Sequence, residues 1–174
     1  MHGIVKKGCA LKRSGARVGD HVYVSGNIGD GAGALPLVLK DSSLHSELTA
    51  RYHKPYPQIM YGQSLVGVAS ACLDISDGLI QDLNHICKKS GVGMVINSDN
   101  IPLSDALLRQ YSKAQALEYA LTGGDDYLLA FTASPTSNVP DSAIHIGRVI
   151  KNQSLEVIMP QGIDLKISGY NHFD

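Results

Sequence analysis

The chain has no tryptophan and only two phenylalanines in 174 residues. Charge is also sparse: Asp, Glu, Lys and Arg make up 18 % of the residues, the formal net charge is −1, and no global field draws the molecule to nucleic acid or anionic lipid. Any phosphate it handles must therefore be met locally, by an arginine, by backbone amides or by a metal ion. The three cysteines, Cys9, Cys72 and Cys87, are odd in number and lack CxxC spacing. That excludes a disulfide framework or zinc knuckle and points to a reducing compartment, the cytoplasm by default. The longest uncharged stretch, Tyr56 to Leu73, is interrupted by Pro57, Gln58, Gly62, Gln63 and Ser64, so no membrane span is expected, and the first twenty residues carry no signal-peptide core.

Glycine is plentiful, 18 of 174 or roughly 10 % against an average of about 7 %. Its clusters, Gly26 to Gly33 and Gly123-Gly124, lie between apolar runs, where tight turns or close backbone approach are needed. A loop and a Gly19-Asp20 turn lead into a strand from His21 to Ser25. Beyond the glycine loop, helices are expected over Ala34 to Lys40 with Pro36 in the first turn, from a Ser42 or Ser43 cap to about His53, and over Gln58 to Val66. Val68 to Ile75 reads as a buried strand. The helix after Gly78 has Ile80, Leu83, Ile86 and Cys87 on one face, with Asp82, His85, Lys88 and Lys89 opposite, and Gly91 ends it. Then come strand Val92 to Ile96, short helices Ser104 to Tyr111 and Lys113 to Ala120, and strands Tyr127 to Thr132, Ala143 to Ile150 and Leu155 to Met159, leading through Pro160-Gln161-Gly162 into Ile163 to Ile167. With no internal repeat or linker, this is one α+β domain with a mixed sheet layered with helices.

Chemistry concentrates in Leu73-Asp74-Ile75-Ser76-Asp77-Gly78-Leu79. Two carboxylates three residues apart, at the end of an apolar strand and the start of a helix, converge near free helix amides. Ser76 or Asp77 could serve merely as the helix cap. Asp74 fits that role less well, because a carboxylate at the mouth of a buried strand is costly unless paired or bound to a cation. Hard oxygen ligands suit Mg²⁺.

In Leu121-Thr122-Gly123-Gly124-Asp125-Asp126-Tyr127 the adjacent acids diverge, one facing the interior or a ligand and the other solvent, unless the whole is a solvated turn. Arg13 and Arg17, just before the Gly19-Asp20 turn, offer planar forks for phosphate oxygens or simply a solvated surface. The Gly26 to Gly33 loop lacks the Gly-Lys-Ser/Thr of a P-loop and the acidic partner of a dinucleotide fingerprint. The seven histidines show no paired metal spacing.

Arg13-Ser14-Gly15-Ala16-Arg17-Val18-Gly19-Asp20, then Val24-Ser25-Gly26, Asp74 to Leu79 with Asp82, Gly123 to Tyr127, and a terminal Gly169-Tyr170-Asn171-His172-Phe173 together resemble the thiamine-monophosphate kinase family. That family sits within the aminoimidazole-ribonucleotide-synthetase-like ATP enzymes. The likeness runs along the whole chain but covers only the second half of a family member. It implies that residues 1–20 are an interdomain segment left from an absent N-terminal domain and that 21–174 are the C-terminal nucleotide- and substrate-binding domain. It implies Mg²⁺ at Asp74 and Asp77 as catalytic metal ligands, ATP at Ser76 and Arg13, and thiamine monophosphate at Asp125 and Tyr170. It further implies a homodimer formed through the N-terminal domain, with neither nucleic acid nor membrane as partner. Leu128 stands where the family has glutamate, and Asp125 is the shorter of the two acids found there. The expected activity is ATP-dependent phosphorylation of thiamine monophosphate to thiamine diphosphate, with this chain inactive alone. Alternatives are a related ATP enzyme with another acceptor, or a non-catalytic binding module.

Overall fold

The computed structural model describes residues 4–163, so Asp164 to Asp174, and with them Tyr170, lie outside the described residues. Six strands form one sheet: β1 (His21–Val24), β2 (Ala71–Asp74), β3 (Gly93–Asn97), β4 (Leu129–Ala133), β5 (Ile144–Ile150) and β6 (Leu155–Ile158). Their spatial order is β2-β4-β1-β5-β3-β6, and all neighbours are antiparallel except β3 and β6, which are parallel. The expected α+β architecture with a mixed sheet is therefore present. Between the strands lie α1 (Asp30–Lys40), α2 (Glu47–His53), α3 (Ile59–Ser64), α4 (Leu79–Ser90), α5 (Asp105–Gln110) and α6 (Lys113–Thr122).

Alternation along the strands sends Val22, Val24, Leu73, Ala130, Met94, Ile96 and Ile146 to one face, where Leu79, Leu83 and Ile86 of α4 and Leu117 and Leu121 of α6 cover them in the main core. The opposite face carries Tyr23, Cys72 and Phe131 under Leu65, with the Tyr23 and Phe131 rings stacked at 5.2 Å. A satellite cluster of Ala34, Leu48, Leu107 and Ala116 joins α1, α2, α5 and α6 beside the sheet. The edge strand β2 is covered in part by the N-terminal segment: Cys72 N–H donates to the Lys12 carbonyl at 2.8 Å, and Ala16 is buried in the main core.

Several sequence expectations shift for local reasons. Helix α1 begins at Asp30, so Pro36 lies in its interior rather than its first turn. The earlier start is made possible by a carboxylate from another loop, described below, which receives the helix's first amides. Helix α2 is capped by Ser46 instead of Ser42 or Ser43, through a reciprocal box in which Ser46 Oγ accepts from Thr49 N–H and Thr49 Oγ1 accepts from Ser46 N–H at 2.8 Å. Strand β2 starts only at Ala71, because Val68 and Ala69 are held in a turn by hydrogen bonds to the Leu65 carbonyl. Strand β4 starts at Leu129, since Tyr127 has a left-handed φ of 52°. Asp82, expected on the polar face of α4, is 3 % exposed.

Candidate functional site

The two sequence stretches richest in chemistry meet at one end of the sheet. Where β2 ends, Ile75 N–H donates to the Leu128 carbonyl at 2.7 Å, Tyr127 N–H to the Ile75 carbonyl at 2.9 Å, and Asp125 N–H to the Ser76 carbonyl at 3.1 Å. The β2–β4 pairing thus continues past both strands and stitches the Asp74 to Gly78 loop to the Gly123 to Tyr127 loop. Gly124 is what allows this closeness: a Cβ there would lie 2.2 Å from the Ser76 carbonyl oxygen.

The Asp74 to Gly78 loop takes its shape from a residue five positions on. Asp82 Oδ2 accepts both Ser76 N–H at 2.9 Å and Asp77 N–H at 3.1 Å, while the N-cap of α4 is Gly78, which has no side chain to contribute. Neither Ser76 nor Asp77 is the cap, and Asp77 is left available. Burial raises the Asp82 carboxyl above the usual range, against the lowering effect of the two amides. Asp77, Asp82 and His85 bring one ligand atom each within 4.8 Å of one another. Asp74 is exposed, so the cost of burying a carboxylate does not bear on it. Among the described residues neither Asp74 nor Asp77 is in an ion pair. Their oxygen-only chemistry and their freedom from cationic partners fit Mg²⁺, whereas the nitrogen of His85 does not.

In the second loop the two acids diverge as expected. Asp126 turns inward and accepts Gly29 N–H at 2.7 Å and Gly31 N–H at 3.1 Å, so it receives the first amides of α1 from 97 residues away. Asp125 is exposed, at φ 66°, and accepts the Tyr127 hydroxyl at 2.8 Å. The glycine-rich loop now has a structural explanation: a Cβ on Gly31 would lie 2.6 Å from the Asp125 carbonyl oxygen, so glycine lets α1 approach the acidic loop.

Burial pushes the Asp126 carboxyl up to about 7, assisted by the charges of Asp30 and Asp125 and opposed by the two glycine amides. The native state therefore keeps a proton between about pH 4 and pH 7 that the unfolded chain has lost. By linkage, this group makes folding stability fall as pH rises through that window. Urea unfolding at about pH 5 and about pH 7.5 should show the wild type losing roughly 1 kcal/mol more than Asp126→Asn, less than full burial would give because the residue keeps some solvent contact. Equal slopes in the two proteins would contradict the assignment.

Three recesses surround the junction. One of about 570 Å³ is lined by Leu35, Pro36, Tyr119, Ser76, Asp77 and Asp125. A second, of about 370 Å³, contains Arg13 and Asp74 beside Leu11, Ile59 and Leu129. The third, of about 320 Å³, joins Asp125 and Asp126 to Asp30, Arg51, Lys54 and Tyr56. Asp125 thus borders two recesses, Ser76 and Asp77 share one of them, and Arg13 and Asp74 occupy the neighbouring one.

Arg51 pairs with the buried Asp30 and with Glu47, which also holds Arg109 at 3.0 Å. Sequence reasoning gave Arg51 and Lys54 no place in this region, set Asp82 on the polar face of its helix, and left open which of Asp125 and Asp126 turns inward. Only Asp82 carried a usable signal, as an acid in the first turn of a helix that follows an uncapped glycine.

Residues 17–160 match the family described as AIR synthase related protein, C-terminal domain. Among curated proteins, the thiamine-monophosphate kinase of Salmonella typhimurium is 41 % identical over 192 residues, covering 99 % of this chain and 58 % of that protein. Among solved structures, the thiamine-monophosphate kinase of Stenotrophomonas maltophilia superposes with a TM-score of 0.80 at 34 % identity, over 88 % of this chain and 54 % of that one. A structure described as AaThiL complexed with AMPPCP and TMP superposes with a TM-score of 0.78 at 35 % identity, over 94 % of this chain and 54 % of that one. The chain spans about half the length of the curated relatives it matches. Among the described residues no helix is long and apolar enough to cross a membrane.

Proposed function

Since the chain belongs to the AIR synthase related family by its C-terminal domain, we propose that it supplies the C-terminal half of an ATP-dependent kinase that converts thiamine monophosphate to thiamine diphosphate. The observation that carries this reading is the stitching of the Asp74 to Gly78 loop to the Gly123 to Tyr127 loop, which sets Ser76, Asp77 and Asp125 around one recess. Residues 1–20 are read as the interdomain segment and 21–174 as the domain itself. In the whole enzyme the N-terminal half would provide further acidic ligands and a homodimer contact, and the cytoplasm is the compartment that the free thiols favour.

In the reaction a phosphate oxygen of thiamine monophosphate forms a bond to the γ-phosphorus of ATP while the bond from that phosphorus to the β,γ-bridging oxygen breaks, and ADP leaves. The attacking oxygen is already largely anionic at neutral pH, so no strong general base is required. What the protein must do is align two polyanions and offset their repulsion. Asp74 and Asp77 would hold Mg²⁺, which when bound neutralises the converging phosphate oxygens. Ser76 and Arg13 would contact the nucleotide, Arg13 through its planar guanidinium fork. On the other side Asp125 would face the cationic thiazolium, and Tyr170, outside the described residues, would offer a ring face to it.

In a two-domain protein made by joining this chain to the N-terminal half of a matched relative, Asp125→Asn is expected to raise the KM for thiamine monophosphate several-fold and to leave the KM for ATP nearly unchanged. Steady-state kinetics with each substrate varied in turn checks this. An equal rise in both constants would remove Asp125 from the substrate side.

A further inference from the structure

We infer that Asp82 is the positioning residue of the Asp74 to Gly78 loop, setting its metal- and nucleotide-facing side through a hydrogen-bond acceptor and not as a cation ligand. This rests on the metal reading given above. A loop that must present Asp74, Ser76 and Asp77 to a ligand needs a fixed backbone, yet Gly78 at φ 111° gives it no side-chain cap. Asp82 fills that role from within α4. A single oxygen, Oδ2, takes both amides, and the residue is 3 % exposed, so the arrangement is sheltered from competing water. Accepting Ser76 N–H and Asp77 N–H turns the two N–H groups inward, toward α4. The Ser76 carbonyl is held on the other side by Asp125 N–H at 3.1 Å. The peptide units flanking Ser76 are therefore fixed from two directions, and Asp82 is the only one of these anchors supplied by a side chain.

The alternative is that Asp82 joins Asp77 and His85 as a direct ligand, since their ligand atoms lie within 4.8 Å of one another. One feature weighs against it: the oxygen that holds the loop, Oδ2, is already shared by two backbone donors.

The two roles predict opposite outcomes for a neutral acceptor. Asparagine can place its single carbonyl oxygen where Oδ2 lies and keep both hydrogen bonds while losing the charge. Serine is too short to reach either amide. The test is a titration of the 174-residue chain with Mg²⁺, followed through the amide resonances of Ser76 and Asp77, with hydrogen exchange at those amides and thermal unfolding measured alongside.

The expected result is that Asp82→Asn keeps the Mg²⁺ midpoint within about twofold of wild type and preserves slow exchange, whereas Asp82→Ser raises the midpoint about fivefold or more and speeds exchange at both amides. Loss of Mg²⁺ response in Asp82→Asn with exchange still slow would make Asp82 a ligand and overturn the proposal. A Mg²⁺ midpoint unchanged in Asp82→Ser, with only a lower melting temperature, would reduce it to a cap and overturn it equally. If wild type itself gave no Mg²⁺ response at these amides, the metal reading would fail instead, which separates the two failures.

Discussion

Asp77→Asn, in the two-domain protein formed with the N-terminal half of a matched relative, is expected to lower turnover about tenfold or more while leaving the melting temperature nearly unchanged. The separation of the two effects follows from the geometry. The N-cap of α4 is Gly78 and no side chain caps the helix, so removing the Asp77 charge costs α4 no hydrogen bond. A metal ligand acts on charge that develops as phosphoryl transfer proceeds, and asparagine, which is neutral, cannot offset it. Asp74→Asn should behave in the same way, because Asp74 is exposed at the end of β2 and stabilises nothing by burial. Rates measured over a range of Mg²⁺ concentrations, together with thermal unfolding, provide the check. Full turnover in Asp77→Asn at low Mg²⁺ would return the residue to the solvated surface.

The second large effect is expected at Gly124. An alanine there would put its Cβ 2.2 Å from the Ser76 carbonyl oxygen, a backbone atom that cannot rotate aside. The two loops must then separate, breaking the Asp125 N–H bond to Ser76 and the alignment of Asp77 with Asp125. The cost is about 2–3 kcal/mol, typical of overpacking, and the smaller gain from restricting the unfolded chain does not offset it. Gly26 is the control, since a Cβ there meets only the Leu128 side chain at an ordinary 3.5 Å. Gly26→Ala should stay within about 0.5 kcal/mol of wild type in urea unfolding. Equal losses in the two variants would mean that the contact between the loops is not what Gly124 provides.

Much of this arrangement was legible from sequence because its signals are local. The apolar period of Ile80, Leu83 and Ile86 defined α4, Gly91 ended it, and Ser104 and Ser112 cap α5 and α6 at the positions where the sequence places those helices. The two acidic stretches were also found, since paired carboxylates beside glycine stand out in a chain with few charges.

What could not be read is whatever depends on distant pairing. Asp126 caps a helix 97 residues away, which lengthened α1 and moved Pro36 into its interior. Asp82 looked like a surface residue because helical spacing puts it near His85 and Lys89, yet the fold closes the preceding loop over it. The Gly26 to Gly33 loop read as a close backbone approach without a partner, and the partners are distant in sequence: Gly29 meets the Ala120 backbone and Gly31 the Asp125 carbonyl.

The stitched loops are proposed to form the C-terminal half of a thiamine-monophosphate kinase site. The most direct test is product formation: thiamine monophosphate, ATP and Mg²⁺ are given to the 174-residue chain alone and to the two-domain protein, and thiamine diphosphate and ADP are quantified by chromatography. Equal amounts of thiamine diphosphate and ADP are expected from the two-domain protein and neither from the chain alone. ADP without thiamine diphosphate from a folded two-domain protein, or thiamine diphosphate from the isolated chain, would contradict the proposal.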